Sequence, residues 1–195
     1  LTPLLMRLFR ASPPDGEKQP LPLPTQATDP NPVPTRFVPT LKTWTGLSSY
    51  FVVYRATPKE LSGQMMGEKL NPRRNVMVIF TTQEDHMFGV FYGVTPTRAI
   101  NDLQADKFDD PQSHHFVFTL SNPFGIEPTK FTKKRGFRIS PRTLKERRKN
   151  EVIVVPGFVT VFKKQPCCLS MNFSAVYDDV VGDGCRLFAV PHSCM

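Results

Sequence analysis

Apolar residues in this chain come in short runs separated by turn-forming residues, and that pattern limits the possible folds more than any other feature. Ser49–Tyr54 (SYFVVY), Asn75–Thr82 (NVMVIFTT), Met87–Val94 (MFGVFYGV) and His115–Leu120 (HFVFTL) are rich in Phe, Val and other β-formers. Thr129–Phe131, Glu151–Val155 (EVIVV), Phe158–Phe162 (FVTVF), Leu169–Tyr177 (LSMNFSAVY) and Cys185–Val190 (CRLFAV) extend the series. The polar Gln83–His86 joins two long runs as a hairpin turn, and Pro156-Gly157 is a tight turn or bulge between two shorter ones. Only Thr57–Leu70 reads as a helix, with Thr57 as N-cap, Pro58 at its first position and Glu60 closing a capping box. Seven or eight strands without regular intervening helices favour an antiparallel sandwich or barrel over a parallel α/β sheet. The expected fold is therefore mainly β (α+β), a two-layer antiparallel β-sandwich with one to three short helices. Its expected core is Val76, Val78, Phe80, Phe88, Phe91, Phe116, Phe118, Val152, Val154, Val159 and Val161.

Prolines divide the chain. Residues 1–40 hold ten of the twenty. Proline lacks a backbone donor and fixes φ, so this stretch reads as a disordered tail or linker with polyproline II segments, and residues 41–195 as the folded domain. At its start, Leu1–Arg10 (LTPLLMRLFR) reads as a short apolar segment of one or two helical turns. Its arginines come late and Pro3 interrupts it, unlike a targeting signal, which points to cytosol or nucleus. No run reaches the ~18 apolar residues of a membrane-spanning helix.

Charge is concentrated in one place. Between Lys130 and Lys149 lie ten basic residues and a single acid, Glu146, for a net +9; the other fifteen basic and sixteen acidic residues leave −1. This segment thus accounts for the whole +8 of the protein. Lys133, Lys134, Arg135, Arg138, Lys145, Arg147, Arg148 and Lys149 are the candidate contact residues for a protein partner or nucleic acid. Two plainer readings stay open, a solvated loop and a nuclear import signal. Only Phe131 and Phe137 interleave the charges, a weak signal for base stacking.

Nothing comparable points to catalysis. The chain has no G-x-S-x-G elbow, phosphate loop, H-E-x-x-H or Rossmann fingerprint, so no catalytic, cofactor-binding or metal-binding residue is assigned. Asp178–Gly184 (DDVVGDG) lacks the ligand spacing of a calcium loop. His114 and His115 point to opposite faces if they lie on a strand, one buried and one exposed. Cys167 and Cys168 are vicinal and do not bond to each other; with Cys185 and Cys194 they read as reduced thiols, some of them buried. A metal site from Cys185, His192 and Cys194 and a thiol enzyme using His192 are weaker alternatives.

Taken in order, several of these segments resemble the TLDc domain, in a divergent protist branch. The likeness runs through Leu41–Gly46 (LKTWTG), Tyr50–Tyr54, Asn75–Phe80, Phe88-Gly89 with Tyr92-Gly93, His115–Leu120 and Val152–Phe162, covering roughly residues 41–192. The resemblance implies a β-sandwich of two antiparallel sheets without an established catalytic site. It also implies a protein-interaction role tied in several members to oxidative-stress protection, and in some to binding the vacuolar proton pump. Nucleic-acid binding through residues 130–149 is the alternative.

Overall fold

The computed structural model describes residues 5–12, 33–56, 74–94, 114–134, 151–155, 157–162 and 167–188. Nine strands form two antiparallel sheets among these residues. The larger contains β1 (Leu5–Ser12), β2 (Ser49–Ala56), β3 (Arg74–Thr81), β4 (Met87–Val94), β5 (His115–Ser121) and β6 (Thr129–Thr132), in the order β2-β1-β3-β4-β5-β6. The smaller is β7 (Glu151–Val155), β8 (Val159–Phe162) and β9 (Cys168–Leu169). The predicted mainly-β class with two antiparallel sheets is what forms. The predicted helix at 57–70 lies outside the described residues.

The alternation of side chains explains the packing. In β3 both residue sets are apolar: Val76, Val78 and Phe80 face one side, Met77 and Ile79 the other, and all are buried. The first set joins Phe88, Val90, Val117 and Phe131 with Val155, Phe158, Val159 and Val161 of the smaller sheet's hairpin, forming the inter-sheet core. The second set makes a separate core with Phe91, Phe116, Phe118 and Leu120. That outer core is roofed by a helical segment, a 3-10 turn (Thr35–Phe37) running into α1 (Val38–Thr45). Val33, Phe37 and Leu41 are buried against it, and Trp44 lies 6.2 Å from the Phe116 ring and 6.0 Å from that of Phe118. The large sheet is covered on both faces, by the smaller sheet and by the helical segment, because β3, β4 and β5 bury apolar side chains on each side. Gly89 allows the Phe118 ring to lie against the sheet: a Cβ there would come within 2.7 Å of its Cζ.

Several expectations are corrected. Of residues 1–40, read as a tail or linker, residues 13–32 lie outside the described residues, whereas 5–12 and 33–40 take part in the fold. Leu5–Ser12 is neither helical nor outside the domain; it is an inserted strand, paired with β2 on one edge and β3 on the other. The prolines that argued against a strand are absent between Leu4 and Ser12, so every backbone donor needed for pairing is present. At the other end, Val33 and Phe37 draw the domain boundary back before residue 41.

Leu169–Tyr177 is not one strand. β9 ends at Leu169, and α2 (Phe173–Val176) follows a turn. Cys185–Val190 is not a strand either, since Gly184–Phe188 is a 3-10 turn that carries Leu187 and Phe188 into the core. In β7 the buried pair is Ile153 and Val155, whereas Val154 is only half-buried and Val152 sits where the β7–β8 register shifts. A bulge at that point moves the inward set by one residue.

Candidate functional site

Two places on this frame gather polar or exposed groups that the core does not need. The first lies at the end of the inter-sheet core where β6 stops. The backbone of Val176–Asp178 continues the sheet beside β6: Lys134 N–H donates to the Val176 carbonyl at 2.9 Å, and Asp178 N–H to that of Thr132 at 2.9 Å. This brings the fully buried Tyr177 over β5, where its hydroxyl and His115 Nε2 are 3.1 Å apart. Tyr92 flanks the imidazole at 4.9 Å between ring centroids. His114 is exposed and His115 half-buried, as strand alternation predicts.

The electrostatics make this cluster a plug and not an acid–base dyad. Burial first, and then the nearby Lys133 ammonium, push the His115 imidazole down to about 3, against a smaller opposing pull from the Phe91 backbone. Burial and then Tyr92 push the Tyr177 hydroxyl well above its ordinary 10.0. Both groups are uncharged near neutral pH, and neither is poised to exchange a proton there.

A pH effect on stability follows. His115 binds a proton in the unfolded chain near its ordinary 6.5 but in the folded chain only near about 3. Stability is therefore complete above the unfolded value and is lost as pH falls through that window. The expected loss from this residue is about 2–3 kcal/mol, below the full linkage value because the residue is partly exposed. Urea midpoints from pH 7 to 4 should fall more steeply for the native protein than for His115→Gln. Parallel curves would show that His115 is not held neutral.

Of the predicted basic contacts, only Lys133 and Lys134 lie within the described residues. Lys133 is half-buried and bridged through its backbone to Tyr177, and the exposed Lys134 donates its Nζ to the Ser174 carbonyl at 2.6 Å. Both therefore help seat the Val176–Asp178 edge. Arg135, Arg138, Lys145, Arg147, Arg148 and Lys149 lie outside the described residues, as do His192 and Cys194. The cysteine reading is corrected in part. Cys168 is disulfide-bonded, while Cys167 remains a free, half-buried thiol whose pKa burial pushes up to about 11. A thiol so reluctant to ionise is a poor nucleophile. The Asp178–Gly184 loop is closed by its own side chain, since the Asp179 carboxylate accepts from the backbone N–H of Val181 and Gly184. No cluster of three potential metal ligands occurs among the described residues.

The second place is at the opposite end of the large sheet, in the loop from Asn122 to Pro128 between β5 and β6. Asn122 is 7% exposed and acts as an internal bracket. Its side-chain oxygen accepts from Phe124 N–H and Ile126 N–H, both at 3.1 Å, and its amide donates to the Ile126 carbonyl at 2.6 Å. Gly125 makes the turn at φ +65, with open space around it. The loop's backbone is thereby held from within while its apolar side chains point outward: Phe124 is 59% exposed and Ile126 42%. The β3–β4 turn lies alongside, joined where the Ser121 hydroxyl donates to the Asp85 carbonyl at 3.0 Å.

Sequence reasoning overlooked this loop. Its signal was Asn122-Pro123-Phe124-Gly125, a turn-forming stretch with one large aromatic in it, but nothing local says whether such a Phe turns in or out. The His115–Tyr177 pair, 62 residues apart, left no sequence signal at all.

The chain matches no protein-family model, and neither a curated protein nor a solved structure matches it.

Proposed function

We propose that the chain is a non-catalytic protein-interaction module on a TLDc-like two-sheet frame, and that it meets its partner through the Asn122–Pro128 loop. The observation that carries this is the exposure of Phe124 on a loop whose backbone is already bonded by a buried asparagine. A large apolar side chain on a pre-ordered support loses little entropy on binding, which is how interface anchors work. The His115–Tyr177 pair supports the reading from the other side, because its two groups are both held uncharged. The resemblance adds an oxidative-stress setting to this proposal. The rival, nucleic-acid binding through residues 130–149, draws on the charge of that segment, and Lys134 is already committed to a backbone carbonyl.

The test is a photo-crosslinking residue at position 124, compared with one at Met171, which is 84% exposed on the turn after β9. Partner capture is expected from position 124 and not from 171. Phe124→Ser should weaken that capture at least about tenfold, the range of an interface anchor, and change stability by less than about 0.5 kcal/mol. Equal capture from both positions would remove the loop's role. Binding to duplex or single strands that falls steeply with salt and survives Phe124→Ser would favour the rival.

A further inference from the structure

The corner of the large sheet that carries Phe124, where the β3–β4 turn meets the β5–β6 loop, holds acids and no lysine or arginine, while Arg7 and Arg55 lie farther along the same end on β1 and β2. Residues 81–87 and 120–129 meet there, and they contain Glu84, Asp85 and Glu127 but no lysine or arginine. All three carboxylates are on exposed residues, around the exposed Phe124 and Ile126. This acidic, apolar-tipped pole belongs to a protein of net +8. The cationic run leaves the sheet at its other end: β6 begins at Thr129 beside the loop and finishes at Thr132, and Lys133, Lys134 and Arg135 follow. Within 130–149 the ten basic residues are interleaved with Phe137, Ile139 and Leu144, so the run carries both positive charge and apolar side chains.

We propose that the partner seated on this pole is a second copy of the chain, whose 130–149 segment meets Glu84, Asp85, Phe124, Ile126 and Glu127. The inference rests on the reading of the Phe124 loop as an interaction site and names what fills it. Charge complementarity selects the occupant, since residues 135–149, past the lysines that seat the Val176–Asp178 edge, carry seven basic residues and one acid, while residues 81–87 and 120–129 hold three acids and no lysine or arginine.

Sedimentation velocity on the purified full chain, from micromolar to hundreds of micromolar, tests this at about 50 mM and about 500 mM salt, where screening lengths differ severalfold. The native protein should show a sedimentation coefficient that rises with concentration at low salt and returns to the monomer value at high salt. Phe124→Ser, and separately the triple change Glu84→Lys, Asp85→Lys and Glu127→Lys, should each remain monomeric at low salt with an unchanged far-ultraviolet spectrum. The inference is overturned by a native protein that is monomeric throughout, by association that both variants retain, or by a zero-length cross-link joining Glu84, Asp85 or Glu127 to residues 135–149 within one chain. Failure of the broader reading looks different. If the chain is monomeric yet position 124 still captures another protein, only the self-association is lost; if position 124 captures nothing, the loop's interaction role goes with it.

Discussion

Deletion of residues 1–12 is expected to abolish the cooperative unfolding transition. The strand they contain lies inside the large sheet, with Met6–Ser12 paired to β2 and Leu5–Arg10 paired to β3. Without it, β2 and β3 each present an unpaired edge. They run parallel to one another on either side of the gap, and no other strand among the described residues is free to fill it. Each orphaned backbone group that stays buried costs about 1–3 kcal/mol, and several of them exceed the about 5–15 kcal/mol by which a domain is stable. Leu8→Pro is the finer version of the same test. Residue 8 is paired to Tyr54 on one side and Val78 on the other, so losing its donor and fixing its φ should cost about 3 kcal/mol or more. Thermal melts by circular dichroism read both changes. If the truncated chain melted at the native temperature, the N-terminal segment would be a tail after all, and the six-stranded sheet would be wrong.

Phe188→Ala is expected to cost about 3–5 kcal/mol, one of the largest single-residue effects in this molecule. Phe188 is fully buried where the two sheets meet. Its ring centroid lies 4.7 Å from that of Phe158, 5.4 Å from Phe173, 5.7 Å from Phe131 and 5.8 Å from Phe88. These neighbours come from β4, β6, the β7–β8 turn and α2, so a cavity at this position loosens contacts among four elements at once. Edge-to-face contacts of this kind add about 0.5–1.5 kcal/mol beyond the buried area. The midpoint of thermal unfolding should fall by about 6–20 °C for a domain of this size, whereas Phe124→Ala should leave it almost unmoved because that ring is already in solvent. A small effect at Phe188 would show that Gly184–Phe188 does not fill the inter-sheet core.

Both experiments probe elements whose role local sequence conceals. The hairpin from Arg74 to Val94 is legible because two apolar runs flank a short polar turn, and its buried residues follow from the run itself. His115–Leu120 is legible for the same reason, although which of His114 and His115 is exposed came only with the structure. β7 is legible as a strand but not in phase. In EVIVV alternation groups the charged Glu151 with Ile153 and Val155 and so favours Val152 and Val154 as the inward set, and the register shift opposite Val161 and Phe162 reverses that. The candidate loop was visible as a turn, yet the outward direction of Phe124 depends on Asn122 turning inward to bond the loop backbone.

What the amino-acid order determined by itself is the class of protein: short β-forming runs, turns between them, and one cationic segment that accounts for the net charge. These are local properties of spacing, side-chain branching and charge, and they need no knowledge of neighbours. Tertiary structure alone decided that the N-terminal segment enters the sheet, that a helical segment roofs a second core, and that a 3-10 turn supplies Phe188. Each of those is a pairing between distant parts of the chain. Its free energy comes from apolar surface and backbone groups that become buried only when both partners are present.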